Sequence, residues 1–194
     1  MIAFLKGRFA VKTPAYVVID VNGVGYGVQI SLTTYSAIAE KETGLLHTYL
    51  HITENVQVLF GFAEEAEKEM FLQLISVSGV GAATARMMLS GMKINEIANA
   101  IVAGNVNQLS LIKGIGKKTA ERIIVELKDK LQKHTTSFVA DGSSVTSSAN
   151  TDAVDALMAL GIAKNVAEQA VKKVIVSNPS LSLENIIKLA LKNL

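Results

Sequence analysis

The sequence contains no cysteine, which excludes disulfides and every cysteine-based metal site. Its histidines, His47, His51 and His134, are scattered and make no zinc set. No apolar run reaches the ~18 residues that a membrane-spanning helix requires. The stretch Met1-Ile2-Ala3-Phe4-Leu5-Lys6 reads as a strand rather than a signal peptide, so the expectation is a cytoplasmic protein without membrane contact. The nucleotide loop Gly-x-x-x-x-Gly-Lys-Ser/Thr is missing, and so is the dinucleotide fingerprint Gly-x-Gly-x-x-Gly. No paired catalytic carboxylates stand out. The expectation is therefore a binding protein with no catalytic residue, no metal and no cofactor.

What is present is apolar material and one repeated motif. Hydrophobic residues make up 49% of 194 residues, enough for the cores of one to three small domains. The net charge of +2 says little by itself, but its distribution is uneven: −1 over residues 1–64, +3 over 65–133, 0 over 134–194, and +4 within 109–133. A concentration of positive charge suits a surface that meets phosphates, and equally a solvated helix face.

The repeated motif lies inside the positive region. Ser78-Gly79-Val80-Gly81-Ala82-Ala83-Thr84-Ala85-Arg86 is echoed 35 residues later by Lys113-Gly114-Ile115-Gly116-Lys117-Lys118-Thr119-Ala120-Glu121-Arg122. A Gly-x-Gly after an apolar helical run ends that helix and turns the chain, because glycine tolerates positive φ and lets another group approach the backbone. A second helix then starts at once, with free N–H groups and partial positive charge pointing out of the turn, which is an anion site. The aliphatic residue between the glycines, Val80 or Ile115, is expected to tuck under and pin the turn. Lys117, Lys118 and Arg122 add formal charge to the second copy. This is the helix-hairpin-helix pattern, and a tandem pair suits a grip on both strands of a duplex without reading bases. The expected DNA-binding residues are Gly79, Val80, Gly81, Ala82, Gly114, Ile115, Gly116, Lys117, Lys118, Thr119 and Arg122.

Around the motif the chain divides by periodicity. Residues 1–63 read as β structure: a strand ending at Thr13-Pro14, then Tyr16 to Val21, an Asn22-Gly23 hairpin turn, and Val24 to Ile30, where Gly25 and Gly27 leave room for a bend or bulge. A short helix over Thr33 to Glu40 precedes strands Leu45 to Ile52 and Val56 to Phe62. Five strands with one interposed helix predict a small barrel of the OB type. Residues 64–133 are helical, with helices from Glu64, over Ile94 to Val102, and from Lys117 to Lys133. The Ser/Thr-rich stretch 134–150 reads as a flexible linker. In 151–194, helices are expected over Asp152 to Leu160, with Asn150 or Thr151 as cap, Lys164 to Val176, and Leu183 to Leu191 capped by Ser182. A unit this small is better suited to docking a protein than to housing an active site.

This layout, with Asn22-Gly23-Val24-Gly25-Tyr26, Leu59-Phe60-Gly61-Phe62, Leu89-Ser90-Gly91-Met92 and above all Gly114-Ile115-Gly116-Lys117-Lys118-Thr119-Ala120-Glu121-Arg122-Ile123-Ile124-Val125-Glu126, resembles the RuvA family of Holliday-junction-binding subunits over its whole length. The resemblance implies a multidomain α+β protein: OB-type β-barrel, all-α tandem helix-hairpin-helix domain, flexible linker and C-terminal three-helix (UBA-like) domain. It also implies a non-catalytic homotetramer, one or two to a junction, that holds four-way junction DNA open during recombination and repair. The partners it implies are the hexameric ATPase RuvB, docked on the C-terminal domain, and the resolvase RuvC.

The same resemblance places an acidic pin at the tetramer centre, here Glu54 and Asn55, where relatives commonly carry two acids. It also marks a weakness in the first hairpin, where Ala82 and Ala83 follow Gly81 in place of a basic residue, leaving backbone N–H groups and Arg86, whose direction the sequence does not give. In the C-terminal domain Leu157, Leu160, Ile162 and Leu191 are candidates for the ATPase-facing surface, each equally readable as core. The competing class is a repair enzyme that uses the hairpins as a duplex grip, such as a glycosylase or nuclease; it would need a larger helical domain around the hairpin than this chain supplies. A pure protein scaffold would leave the paired lysines unused.

Overall fold

The computed structural model of the chain describes residues 1–138, 145–178 and 181–193. Two compact units emerge, Met1–Ser137 and Phe138–Leu194. None of the helices described is long and apolar enough to cross a membrane.

In the first unit, β1 (Phe4–Thr13), β2 (Tyr16–Val21), β3 (Val24–Ile30), β4 (Thr43–Ile52) and β5 (Gln57–Phe62) close a barrel in the order β1-β2-β3-β5-β4, with helix α1 (Leu32–Ile38) between β3 and β4. All neighbours are antiparallel except β3 and β5. This is the expected OB-type barrel. Asn22 and Gly23 both adopt positive φ, 52° and 88°, as the two central residues of a tight hairpin turn must. The Gly23 N–H donates to Asp20 at 2.8 Å; that bond and the Arg8 guanidinium hold the Asp20 carboxyl below its ordinary range. Of the bend or bulge for which Gly25 and Gly27 leave room, no bulge forms in β3 against β2. β2 and β3 pair in unbroken register, the Tyr16 hydroxyl fills the space beside Gly27, and the register shift falls in β1 between Phe9 and Val11.

The helices α2 (Glu65–Ile75), α3 (Ala82–Gly91), α4 (Ile94–Val102), α5 (Val106–Ser110) and α6 (Lys117–Phe138) follow. They share a core with the barrel rather than standing beside it. The ring of Phe71 on α2 lies 5.2 Å from that of Phe60 and 4.9 Å from that of Phe62, both on β5. Aromatic pairs at that spacing add to what their buried area contributes. A polar knot reinforces the join. Glu67 of α2, 1% exposed, accepts from the Ser31 hydroxyl and from Thr34 at 2.6 Å. Thr34 in turn accepts from the Ala63 N–H at 3.0 Å. Burial raises the Glu67 carboxyl above its usual pKa, against the opposing pull of these hydrogen bonds.

The second unit packs α7 (Val145–Ala159), α8 (Lys164–Ser177) and α9 (Leu183–Lys192) around Ala153, Leu157, Val171, Val174 and Ile186. Helices run into both ends of the stretch read as linker: α6 reaches Phe138 and α7 starts at Val145, with residues 139–144 outside those described. Asn150 and Thr151 therefore lie within α7 and do not cap it. No glycine or proline interrupts Val145 to Thr151, and β-branched and Ser residues only weaken a helix. Gly161 ends α7 at φ 90°. Ser182 occupies the cap position of α9, but its side chain makes no capping bond.

Candidate nucleic-acid interface

The two Gly-x-Gly turns are built alike. After α2, the Val80 N–H returns to the Val77 carbonyl at 3.0 Å; after α5, the Ile115 N–H returns to Ile112 at 3.0 Å. Gly79 and Gly114 sit at φ +92° and +93°, a region that costs other residues roughly 1–2 kcal/mol. Val80 and Ile115 are 5% and 4% exposed, each rooted in the core beneath its turn. The first helical bonds that follow are also matched, Ala85 to Gly81 at 2.9 Å and Ala120 to Gly116 at 3.0 Å. The N–H groups of Ala82, Ala83 and Thr84, and of Lys117, Lys118 and Thr119, precede those bonds and have no carbonyl of their own helix to reach. Each turn thus presents a cluster of donors at the positive end of a helix dipole.

The second glycine of each pair has a different rationale from the first. Gly81 has an ordinary extended conformation, φ −83° and ψ 166°, and Gly116 is not among the positive-φ residues. A Cβ at either would meet nothing within 4 Å. Neither the turn nor the packing of this chain demands glycine there, whereas close approach by an outside group would.

Side chains separate the two sites. Lys113, Lys117 and Lys118 are exposed, and among the described residues no carboxylate forms an ion pair with them. Arg122 is engaged with Glu126 one turn on, at 2.8 Å, an exposed pair worth only ~0.3–0.5 kcal/mol and readily exchanged for a phosphate. Thr119 is half-buried. At the first site, Ala82 is 9% exposed, so it offers its backbone and not its side chain, while Ala83 is exposed. Arg86, the one cation of α3, does not face outward beside the turn. Its guanidinium Nη1 donates to the Ala15 carbonyl at 3.0 Å and to the Gln29 side chain, both on the barrel.

Glu54 and Asn55, the residues expected to form the pin, are exposed on the β4–β5 turn, which closes through a Thr53 N–H to Val56 bond of 2.9 Å. Ile52 and Val56, which flank them, are exposed as well, a feature that hairpin reading did not single out. In the C-terminal unit the four candidates part company. Leu160 and Leu191 are 64% and 42% exposed, and Ile162 is half-buried against the core. Leu157 is fully buried and cannot form part of a docking surface: it lies near the end of α7 in a core too small to spare a leucine. Met158, Val166 and Leu183 are also exposed apolar residues of this unit, which the sequence did not single out. The signal for Met158 was its place one residue past an inward Leu157, 100° round the helix.

Known proteins match the same regions. Residues 1–61 match a family model described as RuvA N terminal domain, residues 71–129 a SAM-like helix-hairpin-helix tandem, and residues 148–194 a RuvA C-terminal domain. Similar proteins carry the name Holliday junction branch migration complex subunit RuvA. The one from Flavobacterium psychrophilum is 47% identical over 196 residues, that from Bacteroides thetaiotaomicron 46% over 202, and that from Christiangramia forsetii 44% over 197; each alignment covers 100% of both chains. Barrel, tandem hairpins and C-terminal helices thus occur in one chain, in one order and at this identity from end to end, and the chain belongs to the RuvA family.

Proposed function

We propose that this chain binds four-way DNA junctions through their phosphate backbones, without reading sequence, as the DNA-binding subunit of a branch-migration complex. The names of its relatives and the family domains it matches support the reading as a complex subunit. The observation that carries the binding mode is the pair Gly81 and Gly116, where glycine serves neither conformation nor packing and both positions border unpaired N–H groups. A phosphate oxygen accepting from those groups would pass where a Cβ would otherwise stand.

In this reading the chain works as a homotetramer, one or two to a junction, with Glu54 and Asn55 at the centre repelling phosphates at the crossover. The ATPase RuvB docks on the exposed apolar residues of the C-terminal unit, Leu160 and Leu191 among them, and RuvC acts on the same junction. The chain itself supplies binding and geometry, and ATP hydrolysis belongs to its partner. A mobility-shift titration at near-physiological salt tests the core of this: a labelled four-way junction against a linear duplex of equal length, with excess unlabelled duplex. Strong preference for the junction is expected. Equal binding to both would reduce the protein to a generic duplex binder, and cleavage or base excision by the purified chain would point to a repair enzyme instead.

A further inference from the structure

The first hairpin has a peculiarity that its role as a phosphate grip does not explain. Its turn and helix, residues 76–91, contain a single charged side chain, Arg86, and that side chain is spent on the barrel. The bonds it makes span 71 residues to Ala15 and 57 to Gln29. They land at the open end of the β2–β3 ladder, away from its Asn22-Gly23 turn, where Gln29 pairs with Tyr16 and the Ala15 carbonyl also accepts the Ile30 N–H at 3.1 Å. Two more ties join the same helix to the start of α1: Thr33 donates to the Leu89 carbonyl at 2.6 Å, and the Leu32 N–H donates to Ser90 at 3.1 Å. The Ser90 hydroxyl then donates to the Arg86 carbonyl at 2.8 Å, linking the ties.

Resting on the phosphate-binding reading above, we propose that Arg86 is a positioning residue: it clamps α3 to the barrel so that the backbone donors of the first hairpin are aimed at a fixed point. The reason lies in how each hairpin reaches its anion. Lysine arms at the second site are long and rotatable, and follow a phosphate that is displaced by an ångström or two. Backbone N–H groups at the first site have no such reach. Their attraction depends on distance and angle set by the helix alone, and hydrogen bonds weaken steeply off-axis. A donor cluster without arms needs a rigid mount. The guanidinium, with its planar set of donors, suits two acceptors on one neighbouring element. At the repeat position 35 residues on, the second hairpin carries Glu121, exposed, so the clamp has no counterpart there.

The test is made on the full-length protein. Arg86→Leu keeps the aliphatic bulk and removes both bonds. Junction affinity is expected to fall roughly five- to tenfold at fixed salt, with an unchanged slope of log K against log salt. A phosphate-contacting arginine would instead lower that slope by about one for each hairpin engaged. Gln29→Ala leaves the charge in place and should move affinity in the same direction by less, which keeps the idea testable should the arginine variant fold poorly. Arg86→Lys should recover part of the loss. Hydrogen exchange without DNA gives a readout independent of binding: amides of α3 should exchange faster in Arg86→Leu while those of α6 keep their rates. A slope reduced by one, or affinity and exchange both unchanged, overturns the clamp. Absence of junction preference in the unmodified protein would overturn the functional reading instead, and the exchange experiment would still decide the clamp.

Discussion

Gly79-Val80-Gly81 and Gly114-Ile115-Gly116 make the same turn to within a degree of φ at the leading glycine, yet the residues that follow assign them different physics. The second hairpin carries mobile charge: Lys113, Lys117 and Lys118 are exposed and lack ion-pair partners among the described residues. The first carries none, and its one arginine holds it to the barrel. In the proposed reading, one site attracts phosphate over a Debye length of about 8 Å at physiological salt; the other acts only at hydrogen-bond range and only if well aimed. A duplicated backbone motif can thus be divided into a part that captures and a part that orients.

Removing the charge is expected to produce the largest effect. Lys117→Ala with Lys118→Ala should weaken junction binding roughly tenfold or more and flatten its salt dependence by about two for each such hairpin engaged. An unchanged slope in the titration would show that these lysines do not meet phosphates. The glycines come next. Gly79→Ala or Gly114→Ala should destabilise the fold by about 1 kcal/mol or more, as a Cβ is forced into positive φ. Gly81→Ala or Gly116→Ala should leave stability level or raise it by ~0.4–1 kcal/mol while still weakening DNA binding. Denaturation curves read beside binding titrations separate the two classes, and a stable Gly116→Ala protein with full affinity would remove the main support for backbone phosphate contact.

The difference between the hairpins can also be narrowed by adding charge. Ala83 is exposed and stands at the repeat position of Lys118, whereas Ala82 is buried and cannot hold a lysine without repacking. Ala83→Lys should tighten binding a few-fold and steepen the salt slope by about one per hairpin engaged; no change in slope would mean that this turn does not lie against phosphate.

The smallest effect expected is a pH dependence confined to the anchorage of the first hairpin. Glu67, on the helix that leads into it, has a carboxyl pKa raised above 4.5 by burial. The folded state holds that proton more tightly than the unfolded chain, so the contribution of Glu67 to stability is fully present below about 4.5, with Glu67 protonated. It declines as pH rises from about 4.5 through the folded-state pKa, and is level above it. Glu67→Gln should abolish that decline, visible in denaturation midpoints measured across the range. A wild-type profile flat from pH 4.5 upward would contradict the raised pKa.

Most of the fold was legible because its signals are local. Asn22-Gly23 forces a hairpin, alternation marks the strands on either side, and Ile94 to Val102 carries helical periodicity over its full length. The limits of α6 and α7 were less legible, since Ser- and Thr-rich sequence lowers helix propensity without forbidding a helix. Of the interface, the turns were legible and the cation beside one of them was not, because an arginine at that position could serve DNA or barrel equally well on spacing alone.

By itself the sequence determined the five strands of a small barrel, the two Gly-x-Gly turns, the burial of Val80 and Ile115, and the imbalance of charge between the hairpins. These follow from backbone conformations and residue types within a few positions of one another. Tertiary structure alone decided that Arg86 turns to Ala15 and Gln29, that Glu67 finds Ser31 and Thr34, that Phe71 joins the barrel through Phe60 and Phe62, and that Leu157 lies inside while Leu160 lies outside. The physical reason is shared: a side chain's partner is chosen by which elements come to pack against it, and that choice depends on residues tens of positions away.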